Sequence, residues 1–355
     1  MKIVHVIDSL GLGGTENQFL ALLPDLARDH EIVLVTLKDA DRIDLGDLPV
    51  RRRYTLNFSG PRSLPATVLR LRRIIADERP ELVRAQLFWS SVAARLATPR
   101  SVPLVFSIHS TMSEDGYLKR REALWLEKLT YRPRHRLISV SQHTLDDFDR
   151  HVGLKGRADV LPNFVSSHFS GQEAGRAELG RPLRLVAVGN LKPVKNHAYL
   201  VEALRRTTDT RLDIYGEGPE RAALERQIAS TGANVRLMGV RSDMWNVLPD
   251  YDLFVMPSLY EGCPNAAIEA MASSLPLLLS DIPVMREVSQ GNALFFDKHD
   301  PGSLAGLIRR VLASEVETPA MGQRGREIAA RYFSKERYLK QLNAIYAEAV
   351  AGEIR

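Results

Sequence analysis

Residues 253–282 read LFVMPSLYEGCPNAAIEAMASSLPLLLSDI, and this stretch limits the possible folds more than any other. Two apolar runs, 253–256 and 275–280, have the length and bounding turn residues of buried strands. Between them lie a turn, Glu261-Gly262-Cys263-Pro264-Asn265, and a helix over 266–272 built of small, helix-favouring residues. Pro264 is expected at the first helical position, where its missing N–H costs nothing. A strand, a tight turn and a helix N-terminus form an anion site, because free amides and the helix dipole point at the turn. Two carboxylates flank it, Glu261 in the turn and Glu269 on the helix, with seven residues between them. Helical side chains lean toward the N-terminus, so Glu269 can reach back to the same mouth. Acceptors on both sides of a diphosphate site suit a ligand with hydroxyls at both ends, such as a nucleotide-sugar.

The same grammar runs through the whole chain. Residues 2–8 (KIVHVID) read as a strand, 9–16 as a Gly-rich turn, 17–28 as a helix and 32–37 as a strand. That βαβ unit opens a doubly wound parallel sheet. Further strands are expected at 82–86, 103–109, 137–140, 185–188, 212–215 and 235–238, the one at 137–140 closing the first domain. Helices are expected at 64–78, 90–96, 117–131, 141–150, 199–207, 220–230, 244–249, 303–313, 325–331 and 335–352. Residues 1–165 form one domain, 166–182 a hinge, 183–335 a second domain and 336–355 a terminal helix.

Composition sets the class. A length of 355 residues suits two domains, and 26% charged against 45% hydrophobic residues suits a water-facing globular chain. The single cysteine, Cys263, excludes an internal disulfide framework and fits a reducing compartment. No apolar run reaches spanning length, and a strand begins at residue 2 with no leader before it, so the expected location is the cytoplasm. The formal charge of +5 sits in the first half, where 1–165 hold 25 Lys/Arg against 20 Asp/Glu. The clusters are Arg51-Arg52-Arg53, Arg70/Arg72/Arg73, Lys119-Arg120-Arg121 and Arg132/Arg134/Arg136. They read either as solvated faces or as attractors of anionic lipid or a polyanionic acceptor; no nucleic-acid-binding motif is recognisable.

The Glu-x7-Glu pattern, in its setting of strand, Glu-Gly-x-Pro turn, Ala-rich helix and strand, resembles the retaining glycosyltransferases of family 4. The resemblance implies a GT-B fold, an α/β architecture of two Rossmann-like doubly wound domains facing across a cleft. The second domain would take the nucleotide-sugar, the first the acceptor, and the terminal helix would cross back to the first domain. It implies that Glu261 binds the donor sugar and Glu269 the ribose, with Gly262, Cys263, Pro264 and Asn265 lining the sugar and phosphates. The turn Gly189–His197 is similar to the family's Gly-Arg-Leu…Lys turn; Lys195 matches the diphosphate-neutralising Lys, while Asn190 stands where the family has Arg, leaving Lys192 as a substitute charge. By the same resemblance Gly13 and Gly14 approach the diphosphate, His109 contacts the donor sugar near the reaction centre, and Gly216 and Val240 meet the base. Ser274 stands where relatives have Gly, a change expected at the helix end and not in the chemistry.

The implied reaction is hexosyl or N-acetylhexosaminyl transfer to an acceptor hydroxyl with retained configuration. The implied donor is a UDP-sugar in preference to a GDP-sugar. The departing phosphate would take the acceptor proton. No Asp-x-Asp loop and no His/Cys set with metal spacing is present, so no cofactor or metal is expected. The implied partners are the donor and a glycan or lipid-linked glycan acceptor in bacterial surface polysaccharide or lipopolysaccharide assembly, at the inner membrane face. Two other classes stay open: a nucleotide-sugar-binding protein without turnover, suggested by Asn190, and a sugar-nucleotide epimerase or phosphorylase of the same architecture. A dinucleotide fingerprint fails, because Glu16 occupies the third glycine's place.

Overall fold

Short runs of Val, Ile and Leu, apolar on both faces, can be buried only in a parallel sheet covered by helices on either side. A computed structural model shows two such sheets; it describes residues 1–11, 13–39, 48–116, 119–169 and 179–352. The chain divides into two units, residues 1–163 with 335–355, and residues 164–334.

In the first unit the strands are β1 (Lys2–Ile7), β2 (Glu31–Thr36), β3 (Arg52–Thr55), β4 (Leu82–Gln86), β5 (Leu104–Ile108), β6 (His135–Ser139) and β7 (Ala158–Val160), in the order β3-β2-β1-β4-β5-β6-β7. Its helices are α1 (Gly14–Asp29), α2 (Leu64–Glu78), α3 (Phe88–Ala97), α4 (Arg121–Thr130) and α5 (Gln142–Val152). The terminal helix, Lys335–Val350, packs on β4 and β5 of this sheet.

The second unit has β8 (Leu183–Val188), β9 (Thr210–Tyr215), β10 (Val235–Gly239), β11 (Leu253–Met256), β12 (Leu277–Ser280) and β13 (Leu294–Phe296), ordered β10-β9-β8-β11-β12-β13. Around it lie α6 (His197–Leu204), α7 (Arg221–Thr231), α8 (Met244–Val247), α9 (Asn265–Ala272), α10 (Pro283–Ser289), α11 (Pro301–Leu312) and α12 (Thr318–Tyr332). One core cluster holds Phe254, Ala267, Ile268 and Met271; another holds Leu185, Leu200, Ile214 and Leu278.

Strand order reverses between β1 and β4 in one sheet and between β8 and β11 in the other. Ligand crevices of open α/β sheets lie at the carboxyl ends of strands at such a reversal. The turns after β8 and β11 carry Lys195 and Glu261, so topology alone sets those two loops side by side.

Several expectations are corrected. The triplet Arg51-Arg52-Arg53 is exposed, as a solvated face would be, but it leads into edge strand β3 and not a helix; Arg51, just before the strand, pairs with Glu31, and Arg52 with Glu78. Edge strand β7 closes the first sheet, one strand beyond 137–140; half-buried and three residues long, it lacks the apolar run of an inner strand. Arg136 is no surface charge: it is buried on β6 and bound to Asp159 and to Glu348 of the terminal helix. Helix α12 begins at Thr318, well before 325, with Pro319 in its first turn. The helix expected from 117 begins at Arg121, and residues 117–118 lie outside the described residues. So do residues 170–178 of the expected hinge.

Candidate active site

The turn after β8 is a short 3₁₀ segment, Pro193–Lys195, ended by Asn196 in the left-handed region (φ 55°). Asn tolerates that conformation better than most side-chain-bearing residues. Its side-chain amide donates to the carbonyls of Pro257 (3.3 Å) and Lys298 (3.2 Å), and Leu259 N–H donates to Val194 O at 2.8 Å. These bonds hold the turn after β8 against the loop after β11. Lys298 Nζ adds a 2.7 Å bond to Leu259 O. Across this seam Lys195 Nζ meets Glu261 Oε1 at 2.5 Å, both side chains partly buried (22% and 12% exposed). Beside them, burial and the Lys195 charge lower the pKa of buried His197 to about 4, which keeps it neutral.

Helix α9 starts at Asn265; Pro264 is its cap residue, since its ψ of 86° is not helical. The Pro264 carbonyl accepts from Ala267 and Ile268 N–H, so proline serves here as an acceptor and not as the first helical residue. Gly262 and Pro264 are buried; Cys263, Asn265 and Glu269 are partly so. Burial raises the pKa of Glu269 to about 7. The far end of α9 keeps the geometry of a glycine-capped helix without the glycine. Ser274 sits at φ 60°, Leu275 N–H bonds Ala270 O and Ser274 N–H bonds Met271 O. That paired-bond ending is usually built on Gly. The expected alteration of the helix end is therefore absent.

Three more turns meet at the carboxyl ends of β8, β9 and β10. Gly216 (φ 150°) donates to Gly239 O at 2.8 Å, and a Cβ on it would lie 2.0 Å from Gly189 O. A Cβ on Gly218 would lie 2.4 Å from Leu191 O, so both glycines are required by close backbone approach. Asn190, Lys192 and Val240 are exposed on the rim of these turns. Lys192 makes no ion pair among the described residues.

The remaining expected residues belong to the first unit. Gly13 caps α1 and Gly14 is its first residue. Glu16 folds its carboxylate back over Gly13, where a Cβ would lie 2.1 Å from Glu16 Oε2. His109 follows β5 and lines a cavity of about 360 Å³ with Asp8, Trp89, Phe106 and Asp115. Its Nε2 is buried without a hydrogen-bond partner. Burial, then the nearby charge of Arg84, lower its pKa to about 3, so its imidazole is neutral at working pH. Arg84 is itself buried in β4 and held by Ala85 O (2.9 Å), Val105 O (3.4 Å) and Ser107 Oγ. Asp8 directly follows β1 and accepts from Ser90 N–H at 2.8 Å and from the Ser90 hydroxyl; burial raises its pKa.

A family model described as "Glycosyltransferase Family 4" matches residues 12–169, and one described as "Glycosyl transferases group 1" matches residues 182–314. The chain belongs to the family 4 glycosyltransferases. This glycosyltransferase is 26% identical, over 316 residues, to the UDP-Gal:alpha-D-GlcNAc-diphosphoundecaprenol alpha-1,3-galactosyltransferase of Escherichia coli, covering 79% of this chain and 80% of that one. Its fold matches the sucrose-phosphate synthase of Thermosynechococcus elongatus with a TM-score of 0.84 at 20% identity, covering 99% and 100% of the two chains. It also matches Anabaena Alr3699/HepE, solved in complex with UDP, with a TM-score of 0.79 at 18% identity, covering 98% and 100%. The enzyme's two Rossmann-like domains are thus those of GT-B glycosyltransferases.

In this glycosyltransferase the structure joins Lys195 to Glu261 and places Glu269 on the helix that follows. Sequence reading passed over Asn196, Lys298, Asp8 and Trp89. The pair Asn196-His197, an αL-tolerant residue just before a helix, was the available signal for the first.

Proposed function

We propose that this enzyme moves a hexosyl or N-acetylhexosaminyl group from a UDP-sugar to a hydroxyl of a lipid-linked glycan, with retained configuration and without a metal ion. The Lys195–Glu261 contact, set at the strand-order reversal of the second unit, carries this reading. When the bond from the sugar's C1 to the phosphate oxygen breaks, the departing UDP gains negative charge. Preorganised positive groups stabilise that charge. Lys195 and the first-turn amides of α9 supply it where a divalent cation would otherwise be needed. Glu261 holds Lys195 until the diphosphate arrives, then accepts from sugar hydroxyls. Glu269 accepts from the ribose. His109, neutral, bonds the donor sugar without adding charge. The acceptor oxygen attacks C1 from the leaving-group side, and its proton passes to the departing phosphate oxygen.

The Escherichia coli relative, by its name, uses UDP-galactose and a diphosphoundecaprenol acceptor, which supports a UDP donor and a lipid-linked acceptor. The test is transfer by purified protein in excess EDTA. UDP- and GDP-sugars are paired with undecaprenyl-diphosphate-linked GlcNAc, and the anomeric proton coupling of the product is read by NMR. Turnover with UDP-sugars and an α-linked product from an α-linked donor is expected. Activity lost in EDTA and restored by Mn²⁺ contradicts the metal-free part, and an inverted product contradicts retention.

A second reading, nucleotide-sugar binding without turnover, rests on the neutral Asn190 at the diphosphate turn. Saturable UDP-sugar binding with neither transfer nor donor hydrolysis would favour it.

A further inference from the structure

The turn after β8 and the loop after β11 bring one cation and one anion into contact. Lys195 Nζ meets Glu261 Oε1 at 2.5 Å, so the pair adds no net charge to the mouth between them. A departing diphosphate gains negative charge and is stabilised by positive groups already in place. Lys192, on the rim of the same turn, is exposed, and among the described residues no side-chain hydrogen bond or ion pair fixes its ammonium.

Lys298 is held in place. It lies in the loop 297–300 between β13 and α11, and that loop is tied to the turn after β8. The Asn196 side-chain amide donates to Lys298 O at 3.2 Å, and the hydroxyl of buried Tyr199 lies 2.8 Å from both Asp297 O and Asp300 O. The Lys298 ammonium donates to Leu259 O at 2.7 Å, two residues before Glu261. The backbone from 259 to 261 spans at most about 7 Å, which is inside a Debye length of about 8–10 Å. The charge is therefore felt at the mouth where Lys195 and Glu261 meet. Lys298 is partly buried, and among the described residues no carboxylate pairs with it. The acids of its own loop are engaged elsewhere: Asp297 accepts from His299 N–H (2.8 Å), and Asp300 caps α11 by accepting from Gly302 N–H (2.8 Å). An ammonium carries three donors. One goes to Leu259 O, and the others face no protein acceptor among the described residues.

We infer that Lys298 is a charge-bearing residue of the donor site: anchored on Leu259 O, its ammonium supplies the net positive charge that Glu261 cancels on Lys195, and so favours the donor's second phosphate and the departing diphosphate. This rests on the reading that the turn after β8 takes the diphosphate, and it adds a cation from a third loop. Arginine, with the same charge on a long side chain, keeps the function. A neutral amide that retains an N–H donor for Leu259 O does not.

The experiment is calorimetric titration of UDP and of UMP into the full chain and into Lys298→Arg, Lys298→Gln and Lys298→Met. Wild type should prefer UDP to UMP. Lys298→Gln and Lys298→Met should each lose roughly tenfold or more of that preference, through weaker UDP binding, while UMP affinity changes less than about threefold. Lys298→Arg should keep the preference within about threefold of wild type. UDP affinity should also fall less steeply with salt in the two neutral variants. A merely structural role would weaken UDP and UMP alike and leave their ratio in place. Lys298→Gln decides the matter where Lys298→Met fails to fold. Wild type that prefers UDP, with the preference intact in Lys298→Gln, overturns this inference alone, as does a preference lost in Lys192→Met and kept in Lys298→Gln. Wild type that binds no UDP overturns the donor-site reading and this inference with it.

Discussion

Lys195 Nζ lies 2.5 Å from Glu261 Oε1, joining the turn after one central strand to the loop after its neighbour. The pair is partly withdrawn from water, so neither charge is cheaply left alone. A double-mutant cycle in urea with Lys195→Met, Glu261→Gln and the double variant should give a coupling of about 1–2 kcal/mol. Additive effects would remove the contact from the folded enzyme's energetics.

In catalysis the two residues part company. Lys195→Ala should lower kcat roughly 10²–10³-fold, the usual loss when one preorganised transition-state donor is removed. Glu261→Gln keeps the shape but loses the negative charge and one of the two acceptor oxygens, and should lower kcat/KM with a smaller change in kcat. Steady-state kinetics on the two variants separates these roles.

Glu269 makes stability depend on pH in a recognisable direction. Its folded pKa, about 7, is above the unfolded value, so the folded chain keeps this proton longer. Its contribution is complete below the ordinary carboxylate range and is lost as pH rises through 7. The Tm difference between Glu269→Gln and wild type should therefore move in favour of the variant from pH 5 to pH 8. A difference that stays flat would mean the carboxyl ionises as freely as in water.

Histidines act at the other end of the scale. His5, His109 and His135 have pKa values lowered to about 3 and His197 to about 4, burial being the first cause for each. All four are neutral in the folded state and protonate more readily unfolded. Stability should fall as pH drops from about 6.5 toward 4, and His135→Asn, away from the donor site, should blunt that fall in acid melts.

Ser274 at φ 60° bears the cost of a side chain in the left-handed region, about 1–2 kcal/mol against glycine. Its hydroxyl is also buried without a partner. Ser274→Gly should raise stability by about 1 kcal/mol in denaturant melts and leave activity near wild type; a loss would mean the cap needs the side chain.

Arg136 fastens the terminal helix. It bonds Asp159 at 2.6 Å, Glu348 at 2.8 Å and the Ile345 carbonyl at 3.2 Å from a buried position on β6. Arg136→Met should destabilise the first unit by about 2–3 kcal/mol, below the loss for a wholly buried pair because its carboxylate partners keep some contact with water. Hydrogen exchange along 335–350 should rise in that variant, and unchanged protection there would contradict the role.

Much of this fold was legible because inner parallel strands must be apolar on both faces and their turns must hold glycine where backbones approach closely. Gly216 and Gly218 are such positions, and so is the Glu261–Glu269 stretch with its strand on either side. What escaped notice had weaker local signals. Strand β3 is an edge strand starting in an arginine triplet, and β7 is a half-buried edge strand three residues long. Arg136 reads as a surface charge because burial of an ion cannot be inferred without the partners that the fold brings from residues 159 and 348. Pro264 looked like a first helical residue, because that position and the capping position tolerate proline for the same reason, a missing N–H.

The most direct test of the central claim is calorimetric titration of UDP-sugars into wild type, Lys195→Ala, Glu269→Ala and Ser274→Gly, the last a control outside the ligand contacts. Micromolar binding by wild type and the control, weakened at least 100-fold (about 2.7 kcal/mol) in Lys195→Ala and Glu269→Ala, is the expected result. Equal affinity in all four proteins, with their folding intact, would place the donor elsewhere and contradict the account.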